Sequence, residues 1–229
     1  MTLIEATQQP EVPDTTKLFI SCNNSQACDN LIRSKVLQRY WLEYVEYGKR
    51  SSGLELEERI KPKFTGETLV GSDKIGYRTA TLSLVEDEYV NETPDIEQPD
   101  DTKNNKAYTF FHLGNELTGH AGIVHGGMLA TLLDELTCRL AFLNFKSRLG
   151  VTASLKINYR QPCLANSHIM VKCEVLNKKG RKCLVRGSIY KFNPDSDGEI
   201  EDSSNLLTEC ECLVIEPKWV DQMKKPGSD

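Results

Sequence analysis

The apolar positions of this chain change their period partway along its length. Ile32, Val36, Leu37, Tyr40, Trp41 and Tyr44 recur at helical spacing, which predicts a helix from about Asp29 to Tyr47, stopped by Gly48. Tyr77 to Val85 has the look of a strand, and Glu86 to Lys106, acidic and carrying Pro94 and Pro99, that of an exposed loop. Ala107 to Leu113 is a short aromatic-rich strand. A second helix is expected over about Gly126 to Leu143, because Leu129, Leu132, Leu133, Leu136 and Leu140 fall on one helical face. After it the period becomes two. Val151, Ala153, Leu155, Ile157 and Tyr159 point one way, while Thr152, Ser154, Lys156 and Asn158 point the other, until Pro162. Three more strands follow, over Ile169 to Val175, Lys182 to Phe192, and the run containing Cys210, Cys212 and Val214. A hairpin connection is expected at Asn177-Lys178-Lys179-Gly180.

This order predicts an α+β fold, a long central helix wrapped by a curved antiparallel sheet, with an extra N-terminal helix. The expected division is a disordered or loosely docked tail over 1–28, a helical extension over 29–59, the main domain over 60–217 and a C-terminal tail over 218–229. The length of 229 residues suits that plan. A net charge of -5 argues against a nucleic-acid partner. No apolar run reaches the length of a membrane span. The N-terminus lacks the basic start and apolar core of a secretory signal, and its first 32 residues hold no arginine but include Glu5, Glu11, Asp14 and Asp29, which makes a poor mitochondrial presequence. The compartment is read as intracellular, open between mitochondrion and cytoplasm. The 8 cysteines show no C-x-x-C and no zinc spacing, so all are expected to be reduced thiols, with no metal site and no cofactor.

The candidate chemistry sits at the start of the second helix. Gly122-Ile123-Val124-His125-Gly126-Gly127 leads into it, and Asp134 lies two turns along. The first N–H groups of a helix lack intrahelical partners, and glycine lets another oxygen approach them, so Gly126 and Gly127 offer a place for an oxyanion. Asp134 can act as a base or hold a water, and the hydroxyl of Thr152 can position it. Taken singly, Asp134 beside Glu135 reads as a solvated helix face, Thr152 as an ordinary strand residue, and His125 as a helix-start histidine bonded to backbone. No G-x-S-x-G is present. Lys178, Lys179, Arg181 and Lys182 form a basic cluster that suits either the phosphates of a large ligand or a solvated hairpin tip.

Together with Val151-Thr152-Ala153-Ser154-Leu155-Lys156-Ile157-Asn158-Tyr159-Arg160-Gln161-Pro162, the glycine loop and Asp134 resemble the PaaI-like hotdog-fold acyl-coenzyme A thioesterases. Within them the chain looks most like the animal thioesterase-superfamily members with an aspartate/threonine pair, and their fungal relatives. The resemblance covers about Ile60 to Glu216 and is sharpest from Phe110 to Pro162. It implies a hotdog fold and hydrolysis of fatty acyl-CoA to free acid and coenzyme A. By it, Asp134 matches the catalytic carboxylate, Thr152 the water-orienting hydroxyl, Gly126 the backbone donor to the thioester carbonyl, and His125 the histidine shaping the loop. Gly127, Gly122, His120, Asn115 and Arg181 are the accompanying candidates for substrate binding. The resemblance also implies a homodimer with the site shared between protomers, and a tetramer as the further assembly.

One departure stands out. Where some relatives carry an asparagine six residues before the histidine, this chain has Gly119. That keeps a second reading in play, a non-catalytic acyl-CoA-binding or regulatory dimer. A hydratase ranks last, since the residues five before His112, His120, His125 and His168 are Ala107, Asn115, His120 and Cys163, none an aspartate.

Overall fold

The structure, a computed structural model, describes residues 18–48, 63–100 and 103–223. In chain order these form strand β1 (Phe19–Cys22), helices α1 (Ser25–Arg33) and α2 (Lys35–Gly48), strands β2 (Ile75–Thr79) and β3 (Leu82–Val85), and the short helix α3 (Asp87–Asn91). Strand β4 (Asn105–Leu113), the small ribbon β5 (Thr118–His120) and β6 (Ile123–Val124), and helix α4 (Gly126–Leu143) follow. Four long strands close the order: β7 (Val151–Tyr159), β8 (Ser167–Lys179), β9 (Lys182–Phe192) and β10 (Leu206–Ile215). Neighbours in the main sheet run β1-β2-β4-β8-β9-β10-β7, with β3 also on β4. Every pairing in it is antiparallel. This is the expected α+β hotdog arrangement.

The sheet curls around α4. Leu129, Leu132, Leu133, Leu136 and Leu140 are all buried, against Phe111, Val171, Val185 and Ile189 from the strands. Helix α4 stops where Asn144 turns back, its amide donating to the Leu140 carbonyl at 3.0 Å and exchanging bonds with Asn105.

A second apolar cluster lies on the other face of the same sheet. Strand β4 divides its side chains between the two, sending Ala107, Phe111 and Leu113 toward α4, and Tyr108 and Phe110 the other way. That outer face is covered by α1 and α2 through Leu31, Val36, Leu37 and Tyr40. The Tyr40 ring lies 4.7 Å from Tyr108 and 5.6 Å from Phe110, and its hydroxyl donates to Glu201 at 2.9 Å. The N-terminal helices therefore cap the sheet.

Several expectations are corrected. The single helix from Asp29 to Tyr47 is two helices. Ser34 is extended between them, giving its N–H to Leu31 and accepting from the Val36 N–H at 3.1 Å. The expected tail over 1–28 already contains β1 and the start of α1, while residues 1–17 and 49–62 lie outside the described residues. Asn24 caps α1 by accepting from Ala27 N–H at 3.1 Å, which turns the chain back so that Cys22 and Cys28 meet in a disulfide. The cysteines are thus not all reduced. The strand expected from Tyr77 to Val85 is split into β2 and β3. The acidic loop after it is pinned rather than loose: Tyr89, Val90 and Ile96 are buried, and Lys178 donates to the carbonyls of Thr93 and Pro94. Lys178 is therefore withdrawn from the basic hairpin tip.

A histidine pair bridges β4 and β8 on the outer face. His112 and His168 are cross-strand partners with ring centroids 5.2 Å apart, and the Tyr77 hydroxyl meets His168 Nδ1 at 2.9 Å. Burial, and then the neighbouring His112, push His168 down to about 4. The unfolded chain titrates this ring near 6.5, so between about pH 6.5 and 4 it binds more protons than the folded chain. Stability should be complete above that window and fall as pH drops through it. Urea unfolding followed across the window should show this slope in the wild type and a flatter one in His168→Gln; equal slopes would remove the histidine from the account.

Candidate functional site

Helix α4 begins at a cap made by its own preceding side chain. His125 is extended, and its Nδ1 accepts from the Gly127 N–H at 2.9 Å. Its carbonyl accepts from Met128 N–H at 2.8 Å. This arrangement consumes one of the two expected donors, which corrects the expectation for Gly127: its N–H serves the cap. Gly126 keeps the first helical position, where an N–H has no intrahelical acceptor. Its carbonyl accepts from the Tyr159 hydroxyl at 3.0 Å, and a Cβ on Gly126 would stand 3.3 Å from that ring. A Cβ on Gly119 would stand 2.7 Å from His125 Cδ2. The departure at position 119 thus has a local cause, since the His125 ring packs where a side chain would go. Gly122 has φ +73°, a left-handed turn that favours glycine, and its carbonyl accepts from Ala165 N–H at 2.9 Å.

A cavity of about 470 Å³ opens here, lined among others by Gly119, His120, His125, Gly126 and Tyr159. Asn115 and Arg181 line neither this cavity nor the one described next. Asn115 belongs to a single 3-10 turn, its carbonyl accepting from the Thr118 hydroxyl. Arg181 sits in the β8–β9 turn, and its carbonyl accepts from Glu216 N–H. Glu216 in turn holds Ser147, just past the far end of α4.

Asp134 faces a different cavity, of about 300 Å³, together with Phe64, Thr65, Glu135, Cys138 and Phe142. The Thr152 hydroxyl donates to Asp134 Oδ1 at 2.6 Å and lies 3.0 Å from Cys138 Sγ. Strict alternation in β7 does not allow this. Leu155 and Ile157 pack toward α4, so Thr152, three residues before Leu155, belongs on the opposite face. The register resolves the conflict. Leu155 pairs with Cys212 and Ser154 with Leu213, but Val214 pairs with Thr152, leaving Ala153 as an extra residue. This bulge rotates Thr152 onto the helix side.

Cys138 and Cys212 complete the group. Their thiols are hydrogen-bonded, which pushes the Cys212 thiol down and the Cys138 thiol up. Neither was singled out in the sequence, because the contact joins a helix to a distant strand. Glu135, expected beside Asp134 on a solvated face, is instead engaged. It pairs with buried Arg78 at 2.8 Å and with Arg139 at 3.0 Å, and accepts from the Thr65 hydroxyl. Arg78 also stands over the Phe111 ring. The pair fixes the helix face that presents Asp134. Removing one member of a buried pair costs about 3–5 kcal/mol. Glu135→Ala is therefore expected to cost about 3 kcal/mol, while Glu135→Gln, which keeps some bonds to Arg78, should cost less. Chemical denaturation of the two variants checks this; equal, negligible losses would show that Arg78 is satisfied without the carboxylate.

Residues 121–196 match the family model described as the thioesterase superfamily. A Candida albicans protein called "Uncharacterized protein, mitochondrial" is 33% identical over 52% of this chain and 52% of its own length. MIOREX complex component 3 of Saccharomyces cerevisiae is 27% identical over 54% of this chain and 52% of its own. The mouse acyl-coenzyme A thioesterase THEM4 is 30% identical over 48% of this chain and 43% of its own. The chain thus spans about half the length of the curated relatives it matches.

Proposed function

Since residues 121–196 match the thioesterase superfamily, we propose that the chain hydrolyses fatty acyl-CoA thioesters to free acid and coenzyme A. The observation that carries this reading is the 2.6 Å bond from Thr152 to Asp134 at the edge of a cavity. The bulge at Ala153 is what brings those two side chains together.

In the proposed reaction the Asp134 carboxylate takes a proton from water as that water attacks the thioester carbonyl. The Thr152 hydroxyl, donating to Oδ1, holds the carboxylate in one orientation. The Gly126 N–H at the helix start receives the oxyanion that forms, and His125 holds the loop that presents it. The intermediate then collapses with cleavage of the C–S bond, and coenzyme A leaves as the thiol with the proton that Asp134 took from water. Gly119, His120 and Tyr159 form the walls beside that donor.

The two halves do not meet within one chain. Eight residues separate Gly126 from Asp134, a rise of about 12 Å along α4. One carbonyl cannot touch both. A second copy is therefore part of the proposal, the glycine loop of one protomer facing Asp134 and Thr152 of its partner. Among the described residues strand β7 ends the sheet with its outer edge unpaired, and the exposed rings of Tyr159 and Phe64 flank the two cavities, all of which supports a homodimer. The name of the Candida relative and the resemblance to THEM4 support a mitochondrial acyl-CoA hydrolase.

Release of free thiol from acyl-CoAs of increasing chain length is the test. Asp134→Ala should lower kcat by about 100-fold or more, the scale of a general base, and leave the far-ultraviolet circular dichroism unchanged. Thr152→Ala should lower it less, since the base survives. Full activity in Asp134→Ala would refute the assignment. Absence of turnover by the wild type, with acyl-CoA still bound, would favour the non-catalytic reading.

A further inference from the structure

Asp134, Cys138 and Cys212 bring one carboxylate oxygen and two sulfurs to within 4.8 Å of one another. We propose that these three residues form a binding site for a single zinc-class divalent cation, entered from the cavity beside α4. Two of the ligands, Asp134 and Cys138, are four apart on one helix and project from the same face. The third comes from the adjoining strand β10, so a cation would tie the central helix to the sheet.

The spacing suits such an ion. Around a tetrahedral zinc with bonds of about 2.3 Å, two sulfurs stand about 3.8 Å apart. Closing the present group onto a cation needs a movement of about 1 Å or less. The donor set selects the ion: two thiol sulfurs with a carboxylate suit zinc or cadmium, whereas magnesium and calcium take all-oxygen shells. The path is open as well. Asp134 and Cys138 both line the 300 Å³ cavity, and the fully buried Cys212 lies behind them, its sulfur within 4.8 Å of their donor atoms. Thr152 Oγ1 lies at 2.6 Å from Asp134 Oδ1 and 3.0 Å from Cys138 Sγ, so a hydroxyl oxygen adjoins two of the three donors.

Occupancy has a consequence that rests on the hydrolase reading. A cation held by Asp134 takes over the carboxylate electrons that would accept the proton from water. The bound form is then the inactive one, and Cys138 and Cys212 serve binding of the inhibitor without taking part in hydrolysis.

The test separates this site from that reading. The full chain, kept under nitrogen without reductant so that the Cys22–Cys28 disulfide stays closed, is titrated with cadmium and followed by thiolate-to-metal charge-transfer absorbance in the ultraviolet, with no substrate present. One equivalent should saturate the band, and magnesium should produce none. Changes around a metal's ligands already cost about 10–100-fold in affinity. Loss of a ligand itself should therefore weaken cadmium binding by at least about tenfold in both Cys138→Ala and Asp134→Asn. Cys138 is half-buried on a helix, and Asp134→Asn keeps the side-chain shape, so both variants are expected to fold; circular dichroism verifies it. Where wild type turns over acyl-CoA, stoichiometric zinc should suppress it and Cys138→Ala should relieve the suppression. No band in the wild type, or a band unchanged in both variants, overturns the site. A band that behaves as expected in a protein without thioester turnover keeps the site and overturns the hydrolase reading instead.

Discussion

Burial of α4 along its whole length is the constraint on which the rest of the structure depends. A helix wrapped by a concave sheet has little surface left for polar groups. In α4 Thr131, Asp134, Glu135, Cys138 and Arg139 open on a single cavity, while the buried hydroxyl of Thr137 is satisfied by the Leu133 carbonyl at 2.7 Å. Glu135 is neutralised by Arg78 and Arg139, so the local charge that remains uncommitted belongs to Asp134. The same wrapping puts the helix start at the sheet's margin. There His125 satisfies the Gly127 N–H and leaves Gly126 at the exposed end. The site is thus a by-product of where a buried helix can afford polarity.

The sheet itself is buried on both faces at β4 and β8. Phe111 and Val171 look toward α4, while Phe110, Tyr108 and Met170 look away from it. An aromatic outer face of this kind needs a cover, and α1 and α2 supply one. That explains the N-terminal extension without assigning it to substrate. It also explains the loop between β9 and β10, where buried Ile200 joins the outer cluster and Glu201 ties Tyr40 to Lys172.

Those parts of the fold that follow from local periodicity were legible in the sequence. Helix α4 begins and ends where the leucine spacing places it, and β7 and β9 match their alternating runs. Features set by tertiary contacts were not. The break at Ser34 depends on a serine bonding its own neighbours, and β1 on pairing with β2, about 55 residues later, as Cys22 against Tyr77 shows. Two residues of the candidate site were read with the wrong geometry. Thr152 was placed away from the helix by strict alternation, and only the extra residue at Ala153 reverses it. The Gly127 donor looked free because a histidine is an uncommon cap. Spacing sets all the cysteines aside as reduced thiols without a metal role, because it compares neighbours in sequence, whereas Cys138 and Cys212 lie 74 positions apart on a helix and a strand. Of the outlying candidates, His120 lies at the glycine-loop cavity, whereas Asn115 and Arg181 have no place at either.

The separation between the two cavities bears on how any acyl thioester would be handled. A helix is rigid over two turns, so no side-chain motion within one chain brings Gly126 to Asp134 across about 12 Å. Among the described residues, β5 and β6 beside the start of α4 are fixed by Leu117, which accepts from His125 N–H at 2.8 Å, and by Cys163, which accepts from Val124 N–H at 2.9 Å. What the described residues do offer is the outer edge of β7, unpaired among them, on the strand that carries both Thr152 and Tyr159. Two such edges run antiparallel would carry Tyr159 and the glycine loop of each copy toward the Thr152 end of the other. The same strand that is bulged to orient a hydroxyl is the one left free to pair, and a single symmetric contact would then complete both sites at once.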